Sequence, residues 1–268
     1  MTLEVGIILP TSTPDPARPI LGDVRAAARL AEQGGLDSVW STDHLAASGP
    51  MLDSTVVLAT AAAVTDRIRI GYGVMLLALR PAAWAAKQIA TLQYVSGDRL
   101  ILGVGTGNPV HGDAAWRAAG VSFAERGRRT DEALRVLPDL VAGRPTVLPD
   151  GTEITLAPGA TMPPVLVAGD AEAARRRAAA YAEGWVAIGL EPRRVGAHVT
   201  ELAALAEEYD RPPLTVTVVA PTLATDPGRA AEQLNAYAEA GAAGVVLAVS
   251  GPQWQAGYEF AAKIKAQL

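Results

Sequence analysis

Two stretches, Ile68-Arg-Ile-Gly-Tyr-Gly-Val-Met75 and Arg99-Leu-Ile-Leu-Gly-Val-Gly-Thr-Gly-Asn108, decide how this chain reads. Each is a short apolar run that breaks into glycines, and a helix-like segment, 81–96, separates them. The order is strand, loop, helix, strand, loop, with glycines at the C-terminal ends of the strands. In a parallel α/β protein those ends form the ligand-binding rim, where glycine lets the backbone approach a flat or phosphorylated ligand.

Working outward, the same alternation fills the chain. Apolar strand-like runs recur at Val5–Leu9, Asp37–Trp40, Ile68–Val74, Arg99–Val104, Pro164–Val167, Trp185–Ile188, Leu214–Val219 and Gly244–Val249. Segments with helical periodicity follow them at Leu21–Gln33, Asp53–Val64, Pro81–Val95, Phe123–Val141, Ala171–Ala182, Arg193–Tyr209, Pro227–Ala240 and Gln253–Gln267. Asp53 or Ser54, and Asp226, are placed to cap helices. Residues 144–162 read as an excursion, a small hairpin through Thr146–Leu148 and Glu153–Leu156. Eight apolar strands, each followed by a helix, predict an α/β fold, a (β/α)8 TIM barrel in one domain over residues 1–268. An open doubly wound sheet is the architectural alternative.

Composition narrows the function. Half of the 268 residues are hydrophobic, net charge is −5, and there is no basic run longer than Arg175-Arg176-Arg177, so no nucleic-acid partner is expected. Cysteine is absent, which removes disulfides, thiolate zinc sites and cysteine nucleophiles. No apolar stretch reaches the roughly 18 residues of a membrane span. The N-terminal apolar run has no basic region before it and is short for a signal peptide, so a soluble, cytoplasmic protein is expected. Three histidines without metal-ligand spacing leave no recognisable zinc site, and no Gly-x-Ser-x-Gly elbow is present.

Chemistry is expected at the strand exits. Trp40-Ser-Thr-Asp43-His44 sets a carboxylate beside an imidazole, a natural pairing for proton transfer near neutral pH; capping by Asp43 and a satisfied polar His44 is the plainer alternative. His111 lies in the loop after Asn108, while His198 falls mid-helix and reads as structural. Val167-Ala-Gly169-Asp170-Ala-Glu-Ala-Ala-Arg175 places a glycine before a helix N-terminus, an anion site in outline. Asp170 and Glu172 would repel a phosphate there unless a nearby arginine offsets them. Trp40, His111, Trp116, Leu76–Leu79 and the loop after Val249 are the residues expected to see substrate, and their apolar character suggests a hydrophobic or aromatic one. Trp254 is expected to pack the last helix.

Taken in order, Gly35–His44, Arg67–Val74, Arg80-Pro81 with Ala86–Leu92, Ser96–Gly107, Glu125–Glu132, Pro163–Gly169 and Glu183–Trp185 resemble the bacterial luciferase-like superfamily of flavin- and F420-dependent oxidoreductases. The resemblance implies a TIM barrel holding a deazaflavin or flavin ring at its strand ends. It implies a non-prolyl cis peptide at Gly73–Val74 behind that ring, with Thr106, Gly107 and Asn108 beside it. It further implies catalytic or ring-contacting roles for Asp43 and His44, and a phosphate-contacting turn at Gly169, Asp170 and Ala171, where Asp170 departs from the family's usual residue.

The function expected from these marks is hydride transfer between coenzyme F420 and a small organic substrate. An FMNH2/O2-dependent monooxygenase is the first alternative and a non-catalytic or vestigial barrel the second. The alanine- and arginine-rich composition is of the high-GC, actinobacterial kind, in keeping with F420. Family habit also leads us to expect a homo-oligomer.

Overall fold

The computed structural model describes residues 2–12, 22–47, 49–248 and 253–268. Eight parallel strands close into a barrel in the order β1, β2, β3, β4, β7, β8, β9, β10 and back to β1. They are β1 (Glu4–Ile8), β2 (Ser38–Ser41), β3 (Arg69–Met75), β4 (Leu100–Val104), β7 (Val165–Ala168), β8 (Gly184–Ile188), β9 (Thr215–Val219) and β10 (Gly244–Leu247). The remaining pair, β5 (Thr146–Val147) and β6 (Glu153–Ile154), forms the expected antiparallel hairpin outside the barrel. Helices α1 (Val24–Gln33), α2 (Ser54–Ala63), α3 (Ala82–Ser96), α5 (Arg126–Val141), α6 (Glu172–Tyr181), α7 (Pro192–Glu208), α8 (Pro227–Glu239) and α9 (Trp254–Lys265) connect the strands. A short α4 (Ala114–Ala118) and two 3-10 turns, Leu77–Leu79 and Pro109–His111, were not expected from periodicity; all three are too short to show any. The ends of the expected Leu21–Gln33 and Gly244–Val249 segments, Leu21 and Val249, and the loop after Val249 lie outside the described residues. Among the described residues no helix is long and apolar enough to cross a membrane.

Local chemistry sets the element boundaries. Asp23, Asp53 and Asp226 accept hydrogen bonds from first-turn N–H groups of α1, α2 and α8, so Asp53 rather than Ser54 caps α2. The seam is closed by Lys265 of α9, whose ammonium donates to the Leu3 carbonyl at 3.1 Å and to Asp37 at 2.7 Å. Asp37 in turn accepts the Val5 N–H at 2.6 Å.

The barrel interior is divided at mid-height by Trp40 with Thr217 and Val246. Trp40 is 4% exposed, and its indole donates to Ser38 Oγ at 2.8 Å. A Cβ on Gly6 would sit 2.6 Å from the indole nitrogen, and one on Gly71 2.5 Å from its ring carbon. The two flanking strands therefore carry glycine to admit the tryptophan. On the N-terminal side lies a cavity of about 440 Å³ bordered by Glu4, Arg69, Glu183 and Thr215. On the C-terminal side is a smaller apolar chamber with Ile8, Gly73, Val74, Val186 and Ile188 in its walls.

Arg99 holds the N-terminal face together. Its guanidinium donates to the carbonyls of Ala62, Thr65, Ile68 and Ser96 and to Thr65 Oγ1, all between 2.6 and 3.0 Å. Arg99→Ala leaves several half-buried carbonyls without donors. It is expected to lower stability by about 2–4 kcal/mol in urea unfolding, without changing ligand binding at the opposite end.

Candidate active site

The glycines of the two opening stretches serve the protein before they serve a ligand. Between Tyr72 and Met75 the pairing of β3 with β4 shifts, a bulge that holds Gly73 and Val74. The Gly73–Val74 peptide bond is cis. On β4, a Cβ at Gly103 would meet the Tyr72 carbonyl oxygen at 2.1 Å, and one at Gly105 would meet Val74 Cγ2 at 2.5 Å. These two glycines make room for the bulge, which corrects the expectation that they open the backbone to a ligand. Gly107, at φ +86°, clears the Trp116 ring, 2.8 Å from where its Cβ would be. The result is a shallow cradle: Gly73 and Val74 at the roof of the apolar chamber, Trp40 below them.

Asp43 and His44 leave β2 together but do different things. The Asp43 carboxylate is 4% exposed and accepts from both Arg80 guanidinium nitrogens at 2.8 and 3.0 Å, from Ser54 Oγ at 2.8 Å and from the Leu76 N–H at 2.8 Å. Burial opposes its charge, but the arginine and the other donors prevail and hold the carboxyl below the ordinary aspartate range. With its lone pairs so committed, Asp43 forms no proton relay with His44. That expectation is corrected: the residue positions the loop. Arg80, which the sequence reading left without a role, is its partner.

His44 instead faces His111, ring centroids 4.8 Å apart in an edge-to-face arrangement. Burial, then the neighbouring His111, lower the His44 pKa, against a smaller upward pull from Asp43. The two imidazoles share a small pocket with Leu76, Leu79, Asn108 and Trp116. Asn108 accepts the Val110 N–H at 3.1 Å and shapes the turn that carries His111. Trp116 is 4% exposed and packs edge-on against Phe123. Thr106 lies half-buried between this pocket and the end of β4. Of the residues expected to see substrate, Leu76, Leu79, His111 and Trp116 line the pocket with His44, whereas Trp40 belongs to the barrel interior. Trp254 packs edge-on with Tyr258 of the last helix, as expected.

At the fifth barrel unit, Gly169 takes φ +128° and Ala171 caps α6 without any side-chain hydrogen bond. Asp170 does not cap the helix. Its carboxylate meets Arg194 at 2.5 Å and His198 Nε2 at 2.9 Å, with Arg175 at 3.9 Å. Glu201 joins the cluster through Arg175 and His198, at 3.0 and 3.2 Å. His198, read from the sequence as structural, sits edge-on to Trp185 and supports this turn. The arginine needed to offset Asp170 is therefore present twice. A first helical turn with no capping side chain, beside a neutralised carboxylate, suits a phosphate.

The buried Asp43–Arg80 pair makes a sharp prediction. Asp43→Ala strands the guanidinium and is expected to cost about 3–5 kcal/mol in chemical denaturation, with less lost when Arg80→Met is added. The folded pKa of Asp43 is depressed, so its stabilisation is complete above the unfolded value of about 4 and fades as pH falls below it. An Asp43→Asn protein should lose less stability than the parent on acidification through that range.

The luciferase-like monooxygenase family profile matches residues 3–266. The chain is 30% identical over 211 residues to the 5,10-methylenetetrahydromethanopterin reductase of Methanolobus tindarius, covering 76% of this chain and 61% of that one. It is 30% identical over 200 residues to the F420-dependent hydroxymycolic acid dehydrogenase of Mycobacterium tuberculosis, covering 66% and 55%. The matched stretches thus span little more than half of these relatives. Among solved structures, an F420-dependent secondary alcohol dehydrogenase with an F420-acetone adduct superposes with a TM-score of 0.85, at 16% identity and 98% coverage of both chains. The FMN-bound oxygenating constituent of 3,6-diketocamphane monooxygenase from Pseudomonas putida superposes at 0.81, with 17% identity and coverage of 99% and 97%. The fold, the bulged cradle and the profile match together place this chain in the luciferase-like monooxygenase family of flavin- and F420-dependent oxidoreductases.

Proposed function

We propose that the protein is an F420-dependent oxidoreductase acting on a small hydrophobic substrate. The observation that carries this reading is the presence of both the Gly73–Val74 cradle and an α6 N-terminus that no side chain caps, beside an Asp170 paired with Arg194. Such a site takes a planar ring at one end and a phosphate at the other. F420 is favoured over FMN because relatives at 30% identity or more include two named as F420-dependent. FMN-dependent monooxygenation is the second reading, supported by the fold shared with the FMN-bound structure.

When bound, the cofactor would supply a hydride in its reduced form or accept one in its oxidised form. The chain's own residues do the rest. Gly73, Val74, Thr106, Gly107 and Asn108 would border the ring, and Gly169, Asp170 and Ala171 would hold the phosphate. Leu76, Leu79 and Trp116 exclude water around the substrate. His44, whose pKa is lowered by burial and by His111, takes or returns the substrate's proton. Asp43 keeps that imidazole in place through Arg80 and Leu76.

A homo-oligomer is part of the proposal. Helix α2 has no charged residue, and Val56, Trp84, Tyr94 and Val95 on α2 and α3 are exposed, a face suited to a second copy. Trp84→Glu should then reduce the mass measured by light scattering.

Fluorescence titration tests the cofactor. Micromolar F420 binding without FMN binding supports the first reading, FMN binding alone the second, and binding of neither leaves a barrel without turnover. The turn is tested by Ala171→Asp, which gives α6 a capping carboxylate in the place a phosphate would occupy. The variant should bind F420 no better than the phosphate-free deazaflavin nucleoside while keeping or raising its Tm, whereas the parent prefers the phosphorylated form about tenfold or more. His44→Ala should cut kcat by about 100-fold or more and leave cofactor affinity unchanged.

A further inference from the structure

We propose that His111 is the electrostatic partner of His44, so that the two imidazoles form a pair that carries one proton and never two. The inference rests on the proposed acid/base role of His44 and deepens it by naming the residue that sets its protonation. Two features of the pocket carry it. The rings meet edge to face with centroids 4.8 Å apart, an arrangement in which a protonated imidazole is attracted to the face of a neutral one. Two imidazolium cations at that distance repel. The surrounding walls offer no relief: Leu76, Leu79, Ala115 and Trp116 are uncharged, and Asn108 is neutral.

Among the described residues, the other charge acting on His44 is Asp43, and its carboxylate is paired with Arg80. His111 acts on His44 from outside its own loop, in keeping with the direction in which His44 is displaced. His111 itself is exposed, on a short 3-10 turn. The pair joins a sheltered imidazole that faces the substrate to an exposed one that faces solvent. It supplies a single proton inward or takes a single proton out, as each hydride transfer to or from a carbonyl or alcohol carbon requires.

Proton NMR of the cofactor-free protein tests this without any substrate. The chain has three histidines, and His198, engaged by Asp170 and Glu201, serves as an internal reference. His111→Phe keeps a ring in the wall and removes the charge; the His44 midpoint should move to higher pH. His111→Lys makes the charge permanent, and the midpoint should move lower. Unchanged midpoints in both variants overturn the proposal, as does the same direction of shift in both, which would mark a change of burial rather than of charge. In the loaded enzyme the acid limb of kcat/KM should follow the NMR midpoint. Failure of turnover with intact NMR shifts would count against the oxidoreductase reading alone.

Discussion

Four pieces of the C-terminal rim converge on one carboxylate. Asp43 follows β2, Leu76 follows β3, Ser54 opens α2 and Arg80 precedes α3, and each of the last three donates to the first. A buried carboxylate is expensive to desolvate, and an arginine–carboxylate pair alone roughly breaks even. What the arrangement secures is geometry. Each carboxylate oxygen accepts two hydrogen bonds, so neither the loop after β2 nor the turn after β3 can shift without unpairing a buried charge. His44 and Val74 leave the barrel on either side of this junction, and their positions follow from it.

The barrel was legible because parallel strands buried on both faces appear as uninterrupted apolar runs, and eight such runs recur in sequence. The family stretches located His44, the Gly73–Val74 peptide and the Gly169 turn. What the sequence hid were the partners. Arg80 lies 37 residues from Asp43 and Arg194 lies 24 from Asp170, separations with no local signature. The Asp43-His44 adjacency misled for a related reason: neighbours at a strand exit turn to different surroundings, and only folding shows which. The glycines misled as well. Gly103 and Gly105 are empty because the Tyr72 carbonyl and Val74 fill the space beside them, which is a matter of the neighbouring strand.

The turn at Gly169, proposed above to take a phosphate, carries an apparently hostile residue. Asp170 would compete with an anion if its carboxylate capped the first turn of α6. Arg194 and His198, both from α7, engage it instead. The turn thereby gains a tether to the next helix, and the local field is set by a cluster of two carboxylates, two guanidinium groups and an imidazole rather than by one acid.

Trp40 gives the barrel a property its backbone lacks. The indole borders the cavities at both ends, with Thr217 and Val246 the other residues common to them. Eight strands by themselves describe an open pipe; it is side chains at mid-height that stopper it. The two ends of the molecule are thus separate vessels with a thin shared wall, and the lower one can change its lining over evolutionary time with little consequence for the chemistry performed above.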